Sequence, residues 1–354
     1  MIHQKTVLPR LLTIRDNTKD FLLTQISTLG HGSFGVVNLV QVKQRLNQGS
    51  SSVPSSPAKW TPPPGLYALK SVNKNRTGTG LESNIRLLIE ATVLRKVAIS
   101  CPFMVQCLVT FQTTTKFYFM MKYYPGGTLE DLKNKHGAMK PDDAKFYLAE
   151  IALALDHLHR YGFLHLDLKP DNVMIDASGH VKLSDFGMVQ YVQTMKSETY
   201  CEIDDDQGMS RNFPAPEYRR GSIIGPAADW YSFGMVAREL MVPQDLIMEF
   251  DELSLAKLSK EARSLIQGLS IPDIPGRLGA EAGIRELKQH PFFIGFNWKL
   301  LDTEDYQECV KPPFMPEVRD PFRNLGQYVT MVNPPDPFPY LEDFDSINMK
   351  CGHQ

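Results

Sequence analysis

The chain has 354 residues, and 38 basic against 40 acidic side chains leave a formal charge of −2. At roughly 150 residues per domain this length predicts two domains or lobes, and 42% hydrophobic with 22% charged residues is the make-up of an ordinary globular protein with a sizeable core. The near-neutral balance removes the electrostatic case for nucleic acid as a partner, and five cysteines without a CxxC pair favour a reducing intracellular compartment over a disulfide scaffold or zinc module.

Residues 1–20 lack the apolar core and small-residue cleavage site of a signal peptide. They are read as an N-terminal extension of a cytoplasmic or nuclear protein. Residues 21–29 and 36–42 are strand-like and flank a glycine-rich turn. Residues 44–64, rich in Ser, Pro and Gly, cannot build a core and are expected to form a mobile excursion. A strand over 66–72 follows, then a helix over 81–97 with Ile85, Leu88, Ile89, Val93 and Val97 near one face. The uncharged stretch 97–115 contains Pro102, Gln106 and Gln112, so it predicts strands or a buried turn and no membrane span. From residue 141 the character changes. Tyr147, Leu148, Ile151, Leu155 and Leu158 recur at helical spacing over 141–161, 227–241 reads as a buried helix, and 259–269 and 283–290 as shorter ones. Beyond Trp298 a Pro-, Phe- and Asp-rich tail is expected to drape over the body.

Four stretches carry chemistry. Gly30-His31-Gly32-Ser33-Phe34-Gly35-Val36-Val37 is a GxGxxGxV turn, whose backbone N–H groups can approach phosphates where a Cβ would obstruct them. Alone it is equally a hairpin turn that needs glycine. A dinucleotide-binding turn would require a helix after it, and a strand-like run follows instead. Lys70 closes an apolar strand and needs an acid or a phosphate; Glu90 is the candidate acid. His165-Leu166-Asp167-Leu168-Lys169-Pro170-Asp171-Asn172 brings together an acceptor for a hydroxyl proton (Asp167), a cation for a moving phosphoryl group (Lys169) and an oxygen ligand for Mg²⁺ (Asn172). Asp185-Phe186-Gly187 follows across a hairpin turning at Ala177-Ser178-Gly179, and would supply the metal's main carboxylate.

In this order, with Ala68-Leu69-Lys70, a helix glutamate and Ala215-Pro216-Glu217, the motifs resemble those of eukaryotic protein kinases over residues 21–293. Asp229-Trp230 is similar to the family's buried helix aspartate and its neighbour, and Arg277 to the arginine that pairs with Glu217. Lys169-Pro170 resembles the serine/threonine branch. Lys311-Pro312-Pro313-Phe314-Met315-Pro316, His290-Pro291-Phe292-Phe293 with Asn297-Trp298, and the end Ser346-Ile347-Asn348-Met349-Lys350-Cys351-Gly352 resemble the AGC group, as a divergent relative of the cAMP-dependent protein kinase catalytic subunit.

The resemblance implies an α+β, bilobal protein kinase fold. Its small antiparallel lobe with one main helix would span 21–121, the hinge 122–127, the mostly helical large lobe 128–293 and an AGC-type tail 294–354. It implies transfer of the γ-phosphate of Mg·ATP to Ser or Thr of protein substrates. Leu29, Gly30, His31, Gly32, Ser33, Phe34, Gly35, Val37, Ala68, Lys70, Glu90, Met121, Tyr123, Tyr124 and Met174 would serve ATP. Asp167 and Lys169 would be catalytic, Asn172 and Asp185 would hold Mg²⁺, and Phe338 or Phe344 would close the pocket. Candidate partners are substrates with upstream basic residues and a regulatory subunit. The alternative is a pseudokinase-like ATP-binding scaffold, since fold alone does not establish activity.

Several positions depart from the family pattern. Leu166 replaces the arginine that normally receives an activation-loop phosphate. The loop carries Asp204-Asp205-Asp206, a solvated run or a replacement for that phosphate. Ser210 stands where the group has threonine, and Thr128 where the cAMP-dependent enzyme has an acid. Asp171 and Glu239 remain as acids able to meet basic substrate residues, so a weakened preference for such residues is expected.

Overall fold

In the computed structural model of the chain, residues 10–16, 19–31, 35–42, 63–74, 81–113, 115–192, 199–200, 213–219, 223–246, 252–303 and 306–317 are described. Period-two patterning builds the first unit, whose described residues lie within 10–95 and 106–123. A six-stranded antiparallel sheet runs in the order β1-β2-β3-β4-β6-β5. The strands are β1 (Arg10–Asp16), β2 (Lys19–His31), β3 (Val36–Val42), β4 (Gly65–Asn73), β5 (Cys107–Gln112) and β6 (Lys116–Lys122). The supposed N-terminal extension therefore contributes an edge strand, paired from Arg10↔Gln25 to Asp16↔Lys19. Val40, Tyr67, Leu69, Met120, Tyr118, Phe111 and Leu23 form one apolar cluster, with the Phe111 and Tyr118 rings stacked at 4.9 Å. The register Val37↔Lys70, Leu39↔Ala68 and Ala68↔Met121 places Val37, Ala68, Lys70 and Met121 together on the opposite face.

Helix α1 (Leu81–Thr92) continues as a π-helical turn, Val93–Val97. Its buried side is the expected one only in part. Val93 and Val97 are buried as expected and Leu88 and Ile89 half-buried, but Leu87, Glu90, Ala91 and Leu94 are buried as well, and Ile85 is 44% exposed. This helix has apolar residues on more than one face, so period alone cannot choose between them. The need to turn Glu90 inward toward Lys70 decides it.

The second unit, residues 96–105 and 124–318, follows helical periodicity. It contains α2 (Leu129–His136), α3 (Pro141–Arg160), α4 (Pro216–Arg219), α5 (Pro226–Met241), α6 (Glu252–Leu255), α7 (Lys260–Leu269), α8 (Ile284–Gln289) and α9 (Tyr306–Cys309). Strands β7 (Phe163–Leu164) and β10 (Gln190–Tyr191), β8 (Val173–Ile175) and β9 (Val181–Leu183), and β11 (Thr199–Tyr200) and β12 (Ile223–Ile224) form three small antiparallel pairs. The expected hairpin at Ala177-Ser178-Gly179 joins β8 to β9, with Gly179 at φ +93°. Helices α3 and α5 are buried along their length; Tyr147, Leu148, Ile151, Leu155, Leu158 and Trp230 are all fully inaccessible. Helix α7 approaches α5 so closely that a Cβ on Gly234 would lie 2.6 Å from that of Leu269. The Arg277 guanidinium donates to both Glu217 oxygens at 2.5 and 2.9 Å and to the carbonyls of Ala227, Ile271 and Pro272. It is the pair expected from sequence.

A second buried pair ties the tail to this unit. His180 lies 2.6 Å from Glu150 of α3 through Nδ1, while its Nε2 donates to the Gln307 carbonyl at 3.2 Å, and Val181 N–H donates to the other Glu150 oxygen. With Nε2 committed as a donor, one further proton must lie between Nδ1 and the carboxyl. Burial pushes Glu150 upward; burial alone would depress His180, but the bond and charge of Glu150 outweigh it and hold His180 above its ordinary value near 6.5. Both directions retain the shared proton. Groups with raised folded values stabilise below the unfolded value and lose that contribution as pH rises through the folded one. The native state should therefore lose stability above pH 6.5, by at most about 1.4 kcal/mol per pH unit. Glu150→Gln, which has no proton to share, is expected to flatten the dependence of unfolding midpoint on pH between neutral and alkaline conditions; an unchanged slope would refute the account.

Candidate active site

In the first unit the sheet presents a lysine where an apolar strand ends. Lys70 Nζ donates to Glu90 Oε1 at 2.7 Å, with both side chains less than one-tenth exposed. A buried ammonium requires such a partner. Val37 and Ala68 lie half-buried on the same face, Met121 beside Ala68, and Leu29 is exposed on β2. Gly30 pairs with Val37, and His31 with Val36. The glycines of this turn differ in their reasons. A Cβ at Gly35 would fall 2.3 Å from the Ser71 carbonyl oxygen, so strand packing demands glycine there; at Gly30 it would meet nothing within 4 Å. Among the described residues, packing gives no reason for glycine at Gly30. Gly32, Ser33 and Phe34 lie outside the described residues.

In the second unit everything hangs on Asp229, which is fully buried at the start of α5. Its carboxylate accepts from His165 N–H and Leu166 N–H at 2.8 Å each and meets His159 Nε2 at 2.8 Å. Burial by itself would raise this carboxyl; the bond and charge of His159 and the Leu166 N–H outweigh it and hold it below its usual range. Leu166 is thereby fixed at φ +61°, the left-handed region, at a cost of roughly 1–2 kcal/mol. The next residue, Asp167, is turned into a polar cluster. Asp167 accepts from Lys169 Nζ at 2.8 and 3.1 Å and from Asn172 Nδ2 at 2.8 Å, and Asn172 Nδ2 also donates to the Asp167 carbonyl at 2.7 Å. His165 Nδ1 accepts from Asp167 N–H, so its Nε2 carries the hydrogen given to the Ser184 carbonyl at 3.1 Å.

Ser184 in turn donates N–H and Oγ to the Asn172 carbonyl, both at 2.8 Å. That fastens the residue before Asp185, itself at φ +56°, to the segment bearing Asn172. The donor set suits Mg²⁺. Asn172 spends its amide nitrogen on Asp167 and leaves Oδ1 without a hydrogen-bond partner among the described residues, while its carbonyl holds the residue before Asp185. Magnesium takes one or two protein oxygens and completes its shell with phosphate and water. Met174 is half-buried on β8, where it bridges Thr128; Tyr123 and Tyr124 follow β6.

The expected residues thus fall into two groups: Val37, Ala68, Lys70, Glu90 and Met121 in the first unit, and Asp167, Lys169, Asn172 and Asp185 in the second. Residues 204–206, Ser210, Phe338 and Phe344, as well as 44–62, lie outside the described residues. Sequence reading missed α2. Thr128 is its N-cap, accepting from Asp131 N–H while Asp131 Oδ2 accepts from Thr128 N–H, both at 3.0 Å. The Thr128-Leu129-Glu130-Asp131 run, a capping-box pattern, was the available signal. The helix carries Lys133, bound to Glu239 of α5.

Comparison with known proteins matches residues 23–293 to the protein kinase domain family. The chain is 33% identical to ribosomal protein S6 kinase alpha-6 of Mus musculus over 305 residues, 82% of this chain and 36% of the relative. It is 34% identical to a probable serine/threonine-protein kinase of Dictyostelium discoideum over 266 residues, 72% of this chain and 56% of that one. Protein kinase C of Drosophila melanogaster is 31% identical over 310 residues, 84% and 38% of the two chains. The chain therefore spans between about a third and a little over half of the length of these relatives.

Leu166 does more than leave a charge out. With Leu164, Val192, Ala215, Tyr218, Ile224 and Ala228 it forms a continuous apolar cluster joining both ends of the segment between β10 and α4. Leu166→Arg would bury an unpaired guanidinium there. It is expected to lower stability by about 3 kcal/mol, measured by denaturant unfolding; a variant as stable as the parent would show that the cluster tolerates the charge.

Proposed function

The chain belongs to the protein kinase domain family, and to the AGC group by its likeness to ribosomal protein S6 kinases; from this we propose that it phosphorylates serine or threonine hydroxyls of proteins, using Mg·ATP. The observation that carries the reading is the Asp167–Lys169–Asn172 cluster, hung from Asp229 and locked to the Asp185 strand through Ser184. Lys70, held by Glu90, would bind the α- and β-phosphates, with Gly30, His31, Gly32, Ser33, Phe34 and Gly35 covering them and Leu29, Val37, Ala68, Met121, Tyr123, Tyr124 and Met174 serving the adenosine end. Asn172 and Asp185 would hold Mg²⁺, which supplies charge neutralisation to the phosphates.

Asp167 would accept the proton of the attacking hydroxyl. Its carboxylate is oriented by Asn172 and by Lys169, whose ammonium would follow negative charge as it moves onto the transferring group. No lysine, catalytic aspartate or metal-binding aspartate of the family pattern is missing. Substrate choice belongs to the same reading: a weakened preference for upstream basic residues, with exposed Asp171 as the remaining acid beside the loop, and a regulatory subunit as a further candidate partner.

The test is transfer of labelled γ-phosphate from Mg·ATP to a peptide mixture, using protein purified away from other kinases. Asp167→Asn is expected to lower the rate by about 10²–10⁴-fold while leaving nucleotide binding intact. Equal rates in both proteins would remove Asp167 from the chemistry.

A further inference from the structure

Lys133 is an unusual residue for its place. It sits on α2 with a side chain only 4% exposed, and its ammonium is hydrogen-bonded to Glu239 Oε1 and 3.8 Å from Glu130 Oε1. Burying a lysine costs several kcal/mol unless an acid meets it. Here acids outnumber it. Glu130 is raised first by burial; Lys133 opposes this, while Glu239 and Asp171 add like-charge repulsion. Helix α2 packs against the turn Pro170–Asn172, and that turn leads directly from Asp167. The three carboxylates therefore lie beside the loop that presents the candidate base. An extended peptide advances about 3.3 Å per residue, so a substrate whose hydroxyl lies at Asp167 would carry its flanking residues along this side of the loop.

We propose that Lys133 is a specificity-determining residue: its ammonium takes, from within the chain, the place that a substrate's basic side chain would take at Glu239. The inference rests on the kinase reading above and deepens it. Glu239 is satisfied before any substrate arrives, so an arginine or lysine offered to it would have to displace a buried ammonium. Substrates are then selected with an uncharged residue at that position, while exposed Asp171 still rewards a basic one elsewhere. The reduced basic preference thus has a cause in one side chain, and removing that side chain should restore the preference.

The experiment compares kcat/KM for peptide pairs that differ by Arg against Ala at each upstream position. For the wild type the ratio at the position facing Glu239 is expected to stay near one. Lys133→Met, or the milder Lys133→Gln should the first fold poorly, is expected to raise it about 10- to 100-fold, the worth of one charge-assisted hydrogen bond. Adding Glu239→Gln to either should cancel the gain, and Glu239→Gln alone should leave wild-type selectivity unchanged, since its carboxylate is already occupied. A wild type that favours Arg and loses this in Glu239→Gln would overturn the proposal, as would a Lys133 variant with no gain at any position. Fluorescence anisotropy of the same peptides, with Ala in place of the acceptor, reads the preference without catalysis. A protein that transfers no phosphate would count against the kinase reading, while the anisotropy ratio would still decide the role of Lys133.

Discussion

A carboxylate with no access to water, held at the start of a buried helix, is the constraint from which the second unit's chemistry follows. Asp229 has to be satisfied from inside, and the donors that satisfy it are the backbone N–H groups of His165 and Leu166 and the ring of His159. Those bonds fix two consecutive peptide planes. They force Leu166 into a left-handed conformation that a branched side chain avoids, and the resulting reversal turns Asp167 toward Lys169 and Asn172. The strain is local and the compensation is distributed over a buried, charge-assisted network. The position of the candidate base is thus set by a residue more than sixty positions away in sequence.

The rest of the site extends the same logic of shared acceptors. Asn172 gives its amide nitrogen to Asp167 and its carbonyl to Ser184, so one residue orients the carboxylate and anchors the strand leading to Asp185. His165 links both, taking a hydrogen from Asp167 and giving one to Ser184. A chain of this kind has few ways to rearrange one member alone. Lys70 and Glu90 play the corresponding part in the first unit, a lysine made tolerable in a buried place by one acid.

What was legible in the sequence was whatever periodicity or motif order could carry. The alternation in β3 and β4, the apolar stripe of α3 and the buried α5 follow from side-chain pattern, and the pairs Lys70–Glu90 and Arg277–Glu217 from motif order. Three things were not legible. The buried side of α1 was read only in part, right at Val93 and Val97 but wrong at Ile85, because Ile85, Leu87, Leu88 and Ile89 offer two overlapping stripes, and a polar contact chose between them. Helix α2 was missed because its apolar stripe is only Leu129 and Leu132; its capping residues were the better signal. The strand Arg10–Asp16 was read as an extension because its pairing is a property of the sheet edge beside it. The role given to Lys133 was beyond reach for the same reason, since a lysine on a polar helix reads as solvated until its partner on another helix is known.

The tail contacts alter where this body ends. The match to the protein kinase domain family ends at Phe293, yet the interior is closed only further along the chain. The Tyr306 ring packs edge-on against Phe103 and His180, and the Gln307 carbonyl satisfies the buried imidazole. Pro312 fills the space over Gly179, and Phe314 stacks on His136 while its carbonyl accepts from Tyr147. Defined by packing, the folding unit runs to at least Phe314, and a chain trimmed at the limit of family likeness would open an apolar socket and strand a buried N–H. Gln307 anchors this closure twice, through its carbonyl to His180 and through its side chain, which accepts from Lys182 and donates to the Pro102 carbonyl at 3.4 Å each.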